Sequence, residues 1–135
     1  MKIAVTGATG HLGSLVVKIL NEKIDKEDIV ALVHNESHAK DLIKEGYEIR
    51  EIDFQNVSTL NTALQNVDTL IYVASKTYSV FDRVRELENV LSAMKENHVA
   101  NLVAMSFIAD QEDNPFVMSP FYGYLPRRLA GTKLN

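Results

Sequence analysis

A chain of 135 residues with 46% apolar and 24% charged side chains fits one globular domain with a buried core and excludes a disordered or fibrous polymer. A net charge of -4 speaks against the basic face with which proteins neutralise nucleic-acid phosphates, and no apolar run approaches the length of a membrane span. The absence of cysteine removes disulfides, thiolate nucleophiles and thiolate metal sites, and together with an N-terminus unlike a signal peptide it points to a cytoplasmic protein.

The first apolar run, Ile3 to Val5, reads as a short strand, and TGATGHLG, Thr6 to Gly13, follows it directly. Behind the glycines Leu12, Leu15, Val16, Ile19 and Leu20 recur at spacings of three and four, which predicts an amphipathic helix. A strand joined to a helix through such glycines is a phosphate-binding turn. Gly7 can take the positive φ of the tight turn, Gly10 lets backbone amides approach a pyrophosphate, and Gly13 lets the helix pack closely. The helix N-terminus adds unpaired N–H groups and a positive dipole end. Thr9, His11 and Leu12 lie within the turn and join the glycines as candidate cofactor-binding residues. A tight structural turn without a ligand is the bland alternative.

Ile29 to Val33 is continuously apolar, as a parallel strand covered on both faces should be. Ser37 to Glu45 predicts a helix with Ala39, Leu42 and Ile43 on one face, ended by Gly46. Tyr47 to Ile52 alternates like a strand near the sheet edge, and Ser58 is a candidate N-cap for a short helix ending near Leu64. Thr69 to Ala74, TLIYVA, is a fourth strand. Val80, Val84, Leu87, Leu91 and Met94 then mark a long helix whose Arg83, Arg85, Glu86 and Glu88 read as a solvated face. Leu102 to Ile108 is a fifth strand, and Ala109 to Pro126 reads as loop.

Strict alternation of strand and helix makes right-handed crossovers the favoured topology. The fold class is therefore α/β, a Rossmann-type parallel sheet in the order 3-2-1-4-5 with helices on both faces. Ligands bind such sheets at the carboxyl ends of the strands. A dinucleotide site usually carries an acidic residue about twenty positions past the glycines, which selects NAD through the ribose hydroxyls. Here the second strand ends in His34, Asn35, Glu36, Ser37 and His38, with no carboxylate at the tip. His34, helped by Asn35 and Ser37 donors, would tolerate a 2′-phosphate better, so NADP is favoured over NAD. Asp53 and Phe54 are placed to edge the adenine, and Ala74 and Ser75 to line the passage toward the nicotinamide. Asp53 could equally be a turn residue. The four histidines, His11, His34, His38 and His98, show no metal-ligand spacing.

TGATGHLG, ALVHNESHA and NVDTLIYVAS together resemble the atypical short-chain dehydrogenase/reductases, and within them the NmrA-like group that includes NADPH quinone oxidoreductases. NPFVMSPFYGY resembles the loop before that family's next helix. The resemblance implies NADP(H) binding, with hydride transfer to a quinone or other carbonyl acceptor. An arginine commonly stands where this chain has His34. Standard members pair a tyrosine with a lysine four residues later; here Tyr122 is followed by Pro126 and Tyr124 by Arg128, so Tyr122 and Tyr124 read as structural or pocket-lining aromatics, and no catalytic residue is assigned. Ser106 stands where relatives often have a serine facing the substrate.

Relatives continue through further strands and a small C-terminal substrate lobe, whereas this sequence stops at Asn135, close to where a sixth strand would begin. The expectation is a single NAD(P)-binding domain over residues 1–135 without the substrate lobe. Its fifth strand would be an open edge, so a homodimer through that edge or heavy C-terminal disorder is expected. Two other readings stand beside the reductase: a non-catalytic NADP(H)-sensing regulatory module, and a remnant of a nucleotide-sugar epimerase.

Overall fold

The computed structural model describes residues 1–105 and 117–135. Strands β1 (Ile3–Val5), β2 (Ile29–Val33), β3 (Glu48–Glu51), β4 (Thr69–Tyr72) and β5 (Asn101–Ala104) alternate with helices α1 (His11–Asn21), α2 (Lys40–Lys44), α3 (Val57–Ala63) and α4 (Val80–Glu96), and α5 (Ser119–Ala130) follows. Every strand pairing is parallel, and the order is β3-β2-β1-β4-β5, as the alternation predicts.

Side chains along the strands alternate between two layers. Ala4, Val30, Leu32, Leu70 and Tyr72 face Leu60 of α3, Leu87 and Met94 of α4, and Phe121 and Leu125 of α5. Val5, Ile29, Ala31 and Val33 face the other way, toward Val17 of α1 and Ala39. β2 is buried along its whole length, which is why its run is apolar without alternation. On the α1 side the cover is incomplete: Val103, in register with Ile71, is 56% exposed.

The edge of β5 is engaged at its start. Asn135 donates its N–H to the Ala100 carbonyl at 3.0 Å and accepts from the Leu102 N–H at 2.9 Å, a parallel bridge opposite Asn101.

Several boundaries differ from the sequence expectation. On α1 the face toward the sheet is Gly13, Val17 and the partly buried Val16 and Leu20, while Leu12, Leu15 and Ile19 stay exposed. The close seat of Gly13 rotates the helix away from the stripe its leucines suggest. Asn35 accepts from the Ser37 N–H and so starts a 3-10 turn, Glu36–His38, ahead of a shorter α2 on which Ile43 is exposed. Gly46 does adopt φ +90° after that helix. Asn56 rather than Ser58 caps α3, because its Oδ1 reaches the Ser58 N–H.

β4 leaves the ladder at Tyr72, since β1 has already turned away at Gly7. The Thr6 hydroxyl takes over: it accepts from the Val73 N–H at 2.7 Å and donates to the Val73 carbonyl at 2.8 Å. Within the described residues β5 ends at Ala104, and the rest of its expected length, Ser106 included, lies outside them. The expected loop up to Pro126 is corrected by α5, which is helical from Ser119 and carries Pro126 inside it. Burial of Phe121 and Leu125 in the core outweighs the one backbone bond a proline removes.

Candidate functional site

The turn between β1 and α1 opens on a cleft of about 860 Å³ at the carboxyl ends of β1, β2, β3 and β4. Gly7 stands at φ +62°. Its carbonyl accepts from the Gly10 N–H at 2.9 Å, closing the turn. Gly10 is the N-cap of α1 and has no side chain to cap with, whereas Asn56 and Ser79 cap α3 and α4. The first N–H groups of α1 are therefore left to a ligand, and the helix dipole favours an anion there.

The cleft gathers residues from five stretches of chain. Gly7, Thr9, Gly10, His11, Leu12 and Gly13 form its floor, and His34 joins from the end of β2. Asp53 and Phe54 come from beyond β3, and Ala74 and Ser75 from beyond β4. Asn35 and Ser37, read from the sequence as donors beside His34, are not brought to the lining: the Ser37 N–H and hydroxyl both donate to Asn35 Oδ1, at 2.9 and 2.7 Å. Asp53 lines the cleft and also holds a turn, its Oδ1 accepting from the Gln55 N–H at 2.9 Å.

Sequence reasoning missed His38, Gln55, Lys76 and Glu86, which also line the cleft. The 3-10 turn ends on His38, which joins His34 and His11 in the lining, so that three imidazoles share the cleft. Glu86 came out as solvated because a helical wheel cannot tell a wet face from one covered by a loop. Arg83 and Glu86 are in fact 5% and 6% exposed. Arg83 donates from Nη2 to the carbonyls of Ser75 and Thr77, both at 2.8 Å, and its guanidinium lies over the Phe121 ring. Glu86 accepts from the Ser75 hydroxyl at 2.6 Å.

Tyr122 meets this network through a 3.3 Å contact from Arg83 Nη1 to its hydroxyl. Tyr124 and Arg128 are directed elsewhere. The Tyr124 hydroxyl donates to Glu88 Oε1 at 2.7 Å, and Arg128 grips the same carboxylate with Nε at 2.6 Å and Nη2 at 3.0 Å. These three residues tie α5 to α4, and none of them lines the cleft. Burial, then the bond to Glu88, raises the Tyr124 hydroxyl above its ordinary value. That makes it a poorer proton donor.

The residues present suit a dinucleotide: a glycine cradle that leaves no room for a Cβ at Gly13, an uncapped helix N-terminus, and imidazoles at the end of β2. A profile described as NAD(P)H-binding matches residues 7–131. The chain belongs to the NAD(P)H-binding family. It is 37% identical over 128 residues to quinone oxidoreductase 2 of Escherichia coli K12, a match covering 95% of this chain and 44% of that protein. The crystal structure of the Escherichia coli NADPH-dependent quinone oxidoreductase complexed with NADPH superposes with a TM-score of 0.87 at 30% identity, covering 98% of this chain and 46% of that one. A nucleoside-diphosphate-sugar epimerase structure from Staphylococcus aureus superposes at 0.89 and 32% identity, covering 99% and 48%. The NmrA-like, quinone-reductase resemblance read from the sequence holds for this family member. The chain spans less than half the length of these relatives.

Proposed function

We propose that residues 1–135 are the NADP(H)-binding Rossmann domain of an NmrA-like reductase, acting in hydride transfer to a quinone or other carbonyl acceptor whose lobe the described residues do not supply. The observation that carries the reading is the convergence of the glycine turn, the end of β2 and the exits of β3 and β4 on one cleft. Gly7, Thr9, Gly10, His11, Leu12 and Gly13 would hold the pyrophosphate. His34, with His38 in the same lining, would meet the adenosine 2′-phosphate. Asn35 acts on that site through the turn it caps. Asp53 and Phe54 would flank the adenine, and Ala74 and Ser75 the nicotinamide.

When bound, the dinucleotide supplies the hydride. The chain's own contribution is to bind and orient it, since among the described residues Tyr124 and Arg128 are engaged away from the cleft. Titration of the purified chain with NADPH and NADH tests the reading: tighter NADPH binding, lost in Gly10→Trp, is expected. NADPH oxidation with a quinone panel then separates a reductase from a sensing module, which would bind without turnover. The exposed Val103 and Met105 at the edge of β5 support self-association, read as a concentration-dependent mass in sedimentation.

A further inference from the structure

The exit of β4 holds a hydrogen-bond pattern with a fixed polarity. Ser75 Oγ donates to Glu86 Oε2 at 2.6 Å, and Gln55 Nε2 donates to Glu86 Oε1 at 3.2 Å. Ser75, Gln55 and Glu86 all line the cleft. A carboxylate accepts and does not donate, so the single hydroxyl proton of Ser75 is committed to Glu86, and its oxygen, which takes a long 3.4 Å bond from the Thr77 N–H, keeps one lone pair for the cleft. The same logic turns the amide nitrogen of Gln55 toward Glu86 and leaves its oxygen as the free end. Arg83, one turn earlier on α4, pins the backbone of this segment through the Ser75 and Thr77 carbonyls.

We propose that Glu86 is a positioning and specificity residue that presents Ser75 and Gln55 to the cleft as acceptors, so that these two groups select the hydrogen-bond donors of a nicotinamide nucleoside, its carboxamide N–H or ribose hydroxyls, beside the cationic Lys76. This rests on the dinucleotide reading of the cleft. It divides the site by chemistry: the α1 N-terminus, the imidazoles and Lys76 favour anions, whereas Ser75 and Gln55, backed by the buried Glu86, are complementary to donors.

The test compares NADPH with 2′,5′-ADP, which lacks the nicotinamide half, on the purified chain. Glu86→Gln and Ser75→Ala are each expected to weaken NADPH about tenfold or more, with 2′,5′-ADP changed by less than about twofold, and the double variant to be no weaker than Glu86→Gln alone. Unchanged NADPH binding in Ser75→Ala, or equal weakening of both ligands in Glu86→Gln, overturns the proposal. If Glu86→Gln binds neither ligand through misfolding, Ser75→Ala decides alone. Wild-type protein that binds neither ligand overturns the dinucleotide reading and this proposal with it; wild-type protein that binds both, with Ser75→Ala unchanged, overturns this proposal only.

Discussion

Gly13 is seated on the carbonyl of Gly7 so closely that a Cβ at position 13 would lie 1.9 Å from that oxygen and 2.5 Å from its carbon. The two residues are six apart in sequence, and their approach lets α1 begin directly against the turn that closes the floor of the cleft.

Gly13→Ala is therefore expected to cost about 1–3 kcal/mol or more of folding stability, because backbone must move to admit the methyl group. Gly10→Ala, whose Cβ would meet the Gly7 carbonyl at 3.3 Å with φ at -78°, should cost much less. Urea unfolding of both variants measures the difference, and equal midpoints would refute the packing argument.

Thr6→Val keeps the shape of a fully buried side chain and removes the hydroxyl that serves both the N–H and the carbonyl of Val73. A loss of about 1–3 kcal/mol is expected, since both Val73 groups lose their partner in that hydroxyl. Weakened NADPH binding should accompany it, because the segment that leads to Ser75 loses its anchor to β1. Thermal unfolding and a titration read the two effects separately.

His34→Asp places a carboxylate where NAD-selecting sites carry one. NADPH should bind at least about tenfold more weakly and NADH no worse than in the wild type, since the proposed bond from His34 to the phosphate would give way to like-charge repulsion. Parallel titrations with the two nucleotides decide it, and an unchanged ratio removes His34 from the 2′-phosphate site.

The hydrogen bonds from Arg128 hold the Glu88 carboxyl below its ordinary value of 4.5, with partial burial opposing them and the Tyr124 hydroxyl adding to them. A depressed folded-state pKa stabilises the fold above 4.5 and loses that contribution as pH falls through the lower folded value. Glu88→Gln should thus lower the melting temperature at neutral pH, and the gap to the wild type should close below pH 4.5. The carboxylate is 40% exposed, so the effect is about 1 kcal/mol or less. A gap that persists at acid pH would assign the loss to packing.

The sequence alone determined the sheet order and the glycine turn. Alternating strands and helices admit few topologies, and the roles of Gly7 and Gly13 follow from local backbone sterics. It also placed His34, Asp53, Phe54, Ala74 and Ser75 at the correct sheet edge, because strand ends are local events. Tertiary structure alone decided the wall of the cleft beyond β4. Arg83 and Glu86 carry the charges of a wet helix face, and it is the loop from Val73 to Thr77, with Phe121 against Arg83 and Gln55 against Glu86, that covers them and fixes which way the Ser75 hydroxyl donates. The face α1 turns to the sheet and the helicity of Ser119 to Pro126 were decided in the same way, by contacts between distant segments that no periodicity along the chain encodes.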